Sequence, residues 1–76
     1  MKLLVVTDNL AYIGEESAMN GTATTLSQPA IVRMVRSADA IASVAARRPA
    51  DEFLTKIDGR VIIPDRRIRV VVECAW

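Results

Sequence analysis

Apolar and polar positions fall into four blocks along this chain, each with its own spacing. The first is an aliphatic run, Lys2-Leu3-Leu4-Val5-Val6, stopped by Thr7-Asp8-Asn9. Its length and valine content predict a strand at 2–6 that is apolar on both faces rather than alternating. The second block, 10–27, follows no single period. Asn20-Gly21 is a turn signal that can join 12–19 to 22–26 as a weak hairpin. Gly14-Glu15-Glu16-Ser17 reads instead as loop, and neither arm alternates cleanly, so loop and hairpin both stay open within 10–27.

The third block has helical spacing. Ile31, Met34, Val35, Ala38, Ile41, Ala42 and Ala45 recur at three- and four-residue steps, with Arg33, Arg36, Ser37, Ser43 and Arg47 on the other side. Ser27 can accept from the first free amides and Pro29 suits a first turn, so the pattern predicts a long helix over 28–48. Pro49 restarts the chain. Asp51-Glu52, then Phe53, Leu54 and Ile57, then Gly59, predict a short helix at 50–57. The last block pairs two β-branched runs, Arg60–Ile63 and Ile68–Glu73, around Pro64-Asp65-Arg66-Arg67, which suits a type I turn; this predicts a C-terminal β-hairpin over 60–74. In its second arm Ile68, Val70, Val72 and Cys74 share one face, and Arg67, Arg69, Val71 and Glu73 share the other. The fold class expected is α+β. A small single-layer sheet in the order β-α-β-β carries the long helix across one face, in one domain spanning 1–76.

Composition sharpens this picture. Of 76 residues 51% are apolar, but only Tyr12, Phe53 and Trp76 are aromatic. A chain this short buries only about 60% of the surface its unfolded form exposes, so the aliphatic excess must partly remain outside. Disorder is excluded as the whole account by the same excess and by a net charge of +1, and a disulfide scaffold by the single Cys74. The charge is unevenly placed: residues 1–27 carry a net −2 and residues 28–76 a net +3. Eight of the ten cations are arginine, which favours bidentate, partly desolvated contacts. Met1 to Val6 resembles the start of an export signal for six residues only, and no apolar run approaches a membrane span. With a lone cysteine, a cytoplasmic setting is expected and no membrane association.

Candidate chemistry is sparse. The sequence has no histidine, which removes the commonest general base and the commonest zinc ligand together. One cysteine supports neither a thiolate metal site nor a Cys–His nucleophile. Gly14, Gly21 and Gly59 are too far apart for a phosphate-binding loop. Glu15-Glu16 and Asp51-Glu52 are adjacent in sequence and read as solvated charges. No enzyme activity, cofactor or metal is expected.

Two short stretches resemble known families. Lys2 to Asn9 resembles the first strand and acidic pocket of phosphoacceptor receiver domains. That family has two acidic residues where Thr7 and Asp8 stand, and a five-stranded parallel sheet that this chain is too short to build. Gly59-Arg60-Val61-Ile62-Ile63-Pro64 is similar to the signature of the swapped-hairpin DNA-binding family of transition-state regulators and toxin-antidote proteins. That resemblance implies interlocked hairpins from two chains, with Arg60 touching DNA. The sequence departs from the family after Arg60, with Arg67 and Ile68 in place of an apolar residue followed by arginine, and only twelve residues follow Pro64.

The expectation for function is a non-enzymatic interaction protein. It is read as a homodimer that binds and modulates or inhibits a protein partner, in the manner of compact inhibitors or adaptors encoded by phages and mobile elements. Arg33, Arg36, Arg60, Arg66, Arg67, Arg69 and Trp76 are the candidate partner-binding residues. The small-residue helix face (Ala38, Ala42, Ala45) and Val71 are the candidate dimer interface, because a Val70-Val71-Val72 strand at a sheet edge invites pairing. A small DNA-binding regulator using the hairpin arginines is the second reading.

Overall fold

A computed structural model describes the chain apart from Asn20, Met34 and Arg36 and the side chains of Ala18 and Met19. The Asn20-Gly21 turn signal and the assignments of Met34 and Arg36 therefore lie wholly or partly outside the described residues. The described elements are β1 (Lys2–Thr7), β2 (Ala11–Met19), β3 (Ala23–Val32), α1 (Ala38–Ala46), a 3₁₀ turn (Asp51–Phe53), β4 (Leu54–Lys56), β5 (Arg60–Pro64), a second 3₁₀ turn (Asp65–Arg67) and β6 (Ile68–Glu73). They form a small mixed α+β domain whose single sheet is antiparallel in every pairing. The sheet runs β4-β3-β2-β1-β6, and β5 also lies on β3.

β1 is the strand expected from its apolar run. Leu3, Leu4, Val5 and Val6 are all buried, so both faces are covered. On one face Leu4 and Val6 cluster with Ala11, Ile13, Val32 and Cys74, beneath Ile41 and Val44 of α1 and against Trp76. On the other, Leu3 and Val5 cluster with Leu26 and Ile63, against Tyr12, Val61 and Ile68.

The second cluster exists because the sheet folds over itself. Three strands break register at one level. β2 shifts between Ile13 and Glu15. β3 passes through Gln28 in the left-handed region (φ 49°), followed by the buried Pro29. β4 gives way to β5 across Ile57, Asp58 and Gly59 (φ 85°). Bulges of this kind bend and twist the strands that carry them. They turn the Ala23–Ser27 half of β3, with β5 alongside, over the Leu3/Val5 face. Pro29 has no N–H to lose from the ladder, and its carbonyl accepts from the amide of Ile57 at 2.9 Å.

Several sequence expectations are corrected here. Of the two alternatives open for residues 10–27, the hairpin is the one that forms, and it is longer than expected: β2 and β3 pair from Ala11↔Val32 to Met19↔Thr24. The helix expected over 28–48 is limited to Ala38–Ala46. Residues 28–32 are strand because Ala30 and Val32 find partners in Ile13 and Ala11, and Ile31 pairs with Thr55 on the other side. Long-range pairing there outweighs a helical period that is only local. The N-cap is Ser37, whose Oγ accepts from the Ala40 amide at 3.1 Å, and not Ser27. The helix expected at 50–57 is one 3₁₀ turn followed by β4.

The hairpin expected over 60–74 does not form. β5 pairs with β3 and β6 with β1, and the Asp65–Arg67 turn carries the chain from one sheet edge to the other. Turns of the type I family have the wrong twist for a tight two-stranded ribbon. This one is also anchored elsewhere, with the Asp65 amide donating to the Thr22 carbonyl at 2.9 Å. The two-chain hairpin interlock implied by Gly59–Pro64 has no counterpart here, since β5 finds its partner strand within the chain.

Candidate association surface

β6 is an outermost strand, and its geometry follows from one hydrogen bond. The Cys74 amide donates to the Lys2 carbonyl at 2.9 Å, in register with Leu4↔Val72 and Val6↔Val70. Because backbone groups alternate sides along an antiparallel ladder, Val70 and Val72 direct theirs at β1 while Val71 and Glu73 direct theirs outward. Among the described residues nothing pairs with the outward amides of Val71 and Glu73. One residue further on, the Ala75 amide is taken by the Ala45 carbonyl of α1 at 2.8 Å. At the other end the register slips between Val6 and Thr7, leaving Arg69 as the extra residue of a bulge. That slip moves Ile68 into the Leu3/Val5 cluster, away from Val72 and Cys74, so the single shared face expected for Ile68, Val70, Val72 and Cys74 is broken.

Apolar side chains accompany the open edge. Val71 is 42% exposed and Val70 38%. Arg69 and Glu73 stand two residues either side of Val71 in sequence and are both exposed. The Arg69 Nε donates to Asp8 Oδ1, just beyond the end of β1. That bond, and the charge of Asp8, hold the Arg69 proton more tightly than usual. Glu73 has no ion-pair partner among the described residues.

The candidate partner-binding arginines fall into separate groups. Arg66 and Arg67 are exposed on the second 3₁₀ turn, where they border a hollow with Asn9, Tyr12 and Ile62; Arg69 borders a neighbouring hollow on the same Thr7–Leu10 turn. Arg33 lies beyond the far end of β3, where it donates to Thr55 Oγ1 at 3.5 Å and lines a hollow with Arg47 and Arg48. Arg60 opens β5, paired with Ser27. Arg36 lies outside the described residues.

Trp76 folds back onto its own chain. Its Nε1 donates to the Val44 carbonyl at 2.7 Å, its ring packs on the Leu4 cluster, and the Lys2 ammonium sits 4.6 Å from the ring centre. It also lines a cleft of about 430 Å³ beneath the sheet bend, with Lys2, Gly14, Arg48, Lys56 and Asp58 around it. Of the helix alanines, Ala45 is buried in the chain's own core, while Ala38 and Ala42 are exposed.

Two further ion pairs are present among the described residues. Glu15 meets the N-terminal amine at 3.1 Å, and Arg48 meets Asp51 at 2.7 Å. The hydrogen bond from Arg48, reinforced by its charge, holds the Asp51 carboxyl below its usual range. Burial pushes the Cys74 thiol up, against the pull of nearby Lys2. Among the described residues no three His, Cys, Asp or Glu side chains gather in a way that suits a metal ion. No described helix is long and apolar enough to cross a membrane.

No family model matches the chain, and no curated protein or solved structure is significantly similar to it.

Val71 is legible in the sequence as a dimer-interface candidate through strand parity, whereas Glu73, the other β6 residue with an outward amide, is not singled out there. The signal was present as Arg69-Val70-Val71-Val72-Glu73, in which opposite charges stand two residues either side of a valine.

Proposed function

We propose that this chain is a non-enzymatic interaction protein that works as a homodimer and modulates or inhibits a protein partner. The observation that supports this reading most is the open β6 edge, where unpaired outward amides stand beside exposed Val70 and Val71. An edge of this kind is a template for another strand, and monomers ordinarily blunt it. Arg66 and Arg67, solvent-facing and without ion-pair partners among the described residues, are the cations offered to an acidic partner surface.

Sedimentation velocity at micromolar concentration tests the homodimer. The reading requires a species of twice the 8.3 kDa chain mass, and a single 8.3 kDa species at every concentration removes it. The second reading, a DNA-binding regulator, rests on the same two arginines. Anisotropy titrations against mixed duplexes separate the two. Binding that weakens steeply with salt and disappears in the Arg66→Ala/Arg67→Ala double variant favours DNA. No binding at low salt favours a protein partner.

A further inference from the structure

We infer that the second copy of this chain docks on β6 itself, β6 against β6 in antiparallel register about a two-fold axis at Val71, joining two sheets into one. This rests on the homodimer reading above and adds which surface forms the dimer and in what register. Three observations converge on it. The outward backbone groups of β6 belong to Val71 and Glu73, so a register that sets Val71 opposite Val71 of the second copy meets the open amide and carbonyl of each with those of the other. That register is its own mirror under a two-fold rotation, as a closed symmetric dimer requires.

It also satisfies the charges. Arg69 comes opposite Glu73 of the second copy, and Glu73 opposite its Arg69, giving two opposite-charge pairs across the new ladder. Sliding the register by two residues in either direction sets Glu73 against Val71 or Arg69 against Val71, and loses both Arg69–Glu73 pairs. Asp8 occupies Nε of Arg69 and leaves its two terminal nitrogens for a second carboxylate. Val71 of each copy meets its counterpart at the centre of the new ladder, and on the opposite face Val70 comes opposite Val72 of the second copy. The interface is short, bounded by the Arg69 bulge at one end and by the Ala75–Ala45 hydrogen bond at the other.

Charge reversal tests this pairing. The Glu73→Arg chain presents two arginines to two arginines, and the Arg69→Glu chain presents two glutamates to two glutamates. Each alone is expected to dimerise about tenfold or more weakly than the natural chain. An equimolar mixture is expected to form the mixed dimer at close to natural affinity, since every pair is again opposite in charge. Val71→Pro gives a second measurement: it removes an N–H that points away from β1, and is expected to abolish dimerisation while the circular dichroism of the fold is retained. If the natural chain dimerises and these variants dimerise as well as it does, the β6 register is overturned and the homodimer reading stands on another surface. If the natural chain is monomeric throughout, both fall.

Discussion

Gly14 and Leu26 meet so closely at the sheet bend that a Cβ on Gly14 would stand 2.9 Å from the Leu26 Cβ. The same added atom would lie 3.2 Å from the Ser27 carbonyl oxygen and 3.3 Å from the Pro29 Cα, so backbone as well as side chain would have to move. Gly14→Ala is therefore expected to destabilise the fold by roughly 1–3 kcal/mol, read from the midpoint of urea unfolding. Gly21→Ala is the control. Nothing lies within 4 Å of its added Cβ, and a change within about 0.5 kcal/mol is expected.

The two-sided burial of β1 makes each cluster separately necessary. Leu4 and Leu26 are both fully buried, on opposite faces of β1. Leu4→Ala and Leu26→Ala are each expected to remove about 2–5 kcal/mol, a large part of the stability of so small a domain. Ile62 is 67% exposed on β5, and Ile62→Ala is expected to change stability by only about 0.5 kcal/mol. Denaturant titration of the three variants checks the ranking.

Trp76 is the chain's single tryptophan and reports on its own docking. Its emission is expected to be blue-shifted in the native state and to move to the red on unfolding. Trp76→Ala removes both the packing on the Leu4 cluster and the bond to the Val44 carbonyl, and is expected to cost roughly 2–3 kcal/mol, since the ring is only partly buried. Thermal unfolding followed by circular dichroism measures the loss.

Cys74 links stability to alkaline pH. Its folded thiol holds its proton to higher pH than the ordinary value of 9.0, so above that value the unfolded chain binds fewer protons than the native one. The Cys74 contribution is thus constant below pH 9.0 and falls as pH rises beyond it. The difference in unfolding free energy between the natural chain and Cys74→Ala, measured across that range, is expected to shift against the natural chain. Iodoacetamide labelling of the native protein is expected to be slow at neutral pH and to become fast on unfolding.

Where local pattern and tertiary demand agreed, the sequence could be read directly. Leu3-Leu4-Val5-Val6 announced a strand needing cover on both faces, and both covers exist. The Ile31–Ala45 periodicity misled because Ile31 and Val32 fit a helix face and a sheet equally well. Only their pairing with Thr55 and Ala11, distant in sequence, decides between the two. The true helix start at Ser37-Ala38-Asp39-Ala40 was masked by apolar residues that continue the period upstream of it. The bend was least legible, since it needs Gly14, Gln28-Pro29 and Gly59 at one level on three strands, and no local rule connects them. The candidate association surface was half legible: parity exposed Val71, whereas the outward direction of its amide required the β1–β6 register.

Amide hydrogen exchange in β6 tests the account most directly. At concentrations where the chain sediments as a pair, the amides of Val71 and Glu73 are expected to exchange as slowly as those of Val70 and Val72, which point at β1. Exchange of Val71 and Glu73 at the rate of exposed amides under those conditions, with Val70 and Val72 protected, would contradict it.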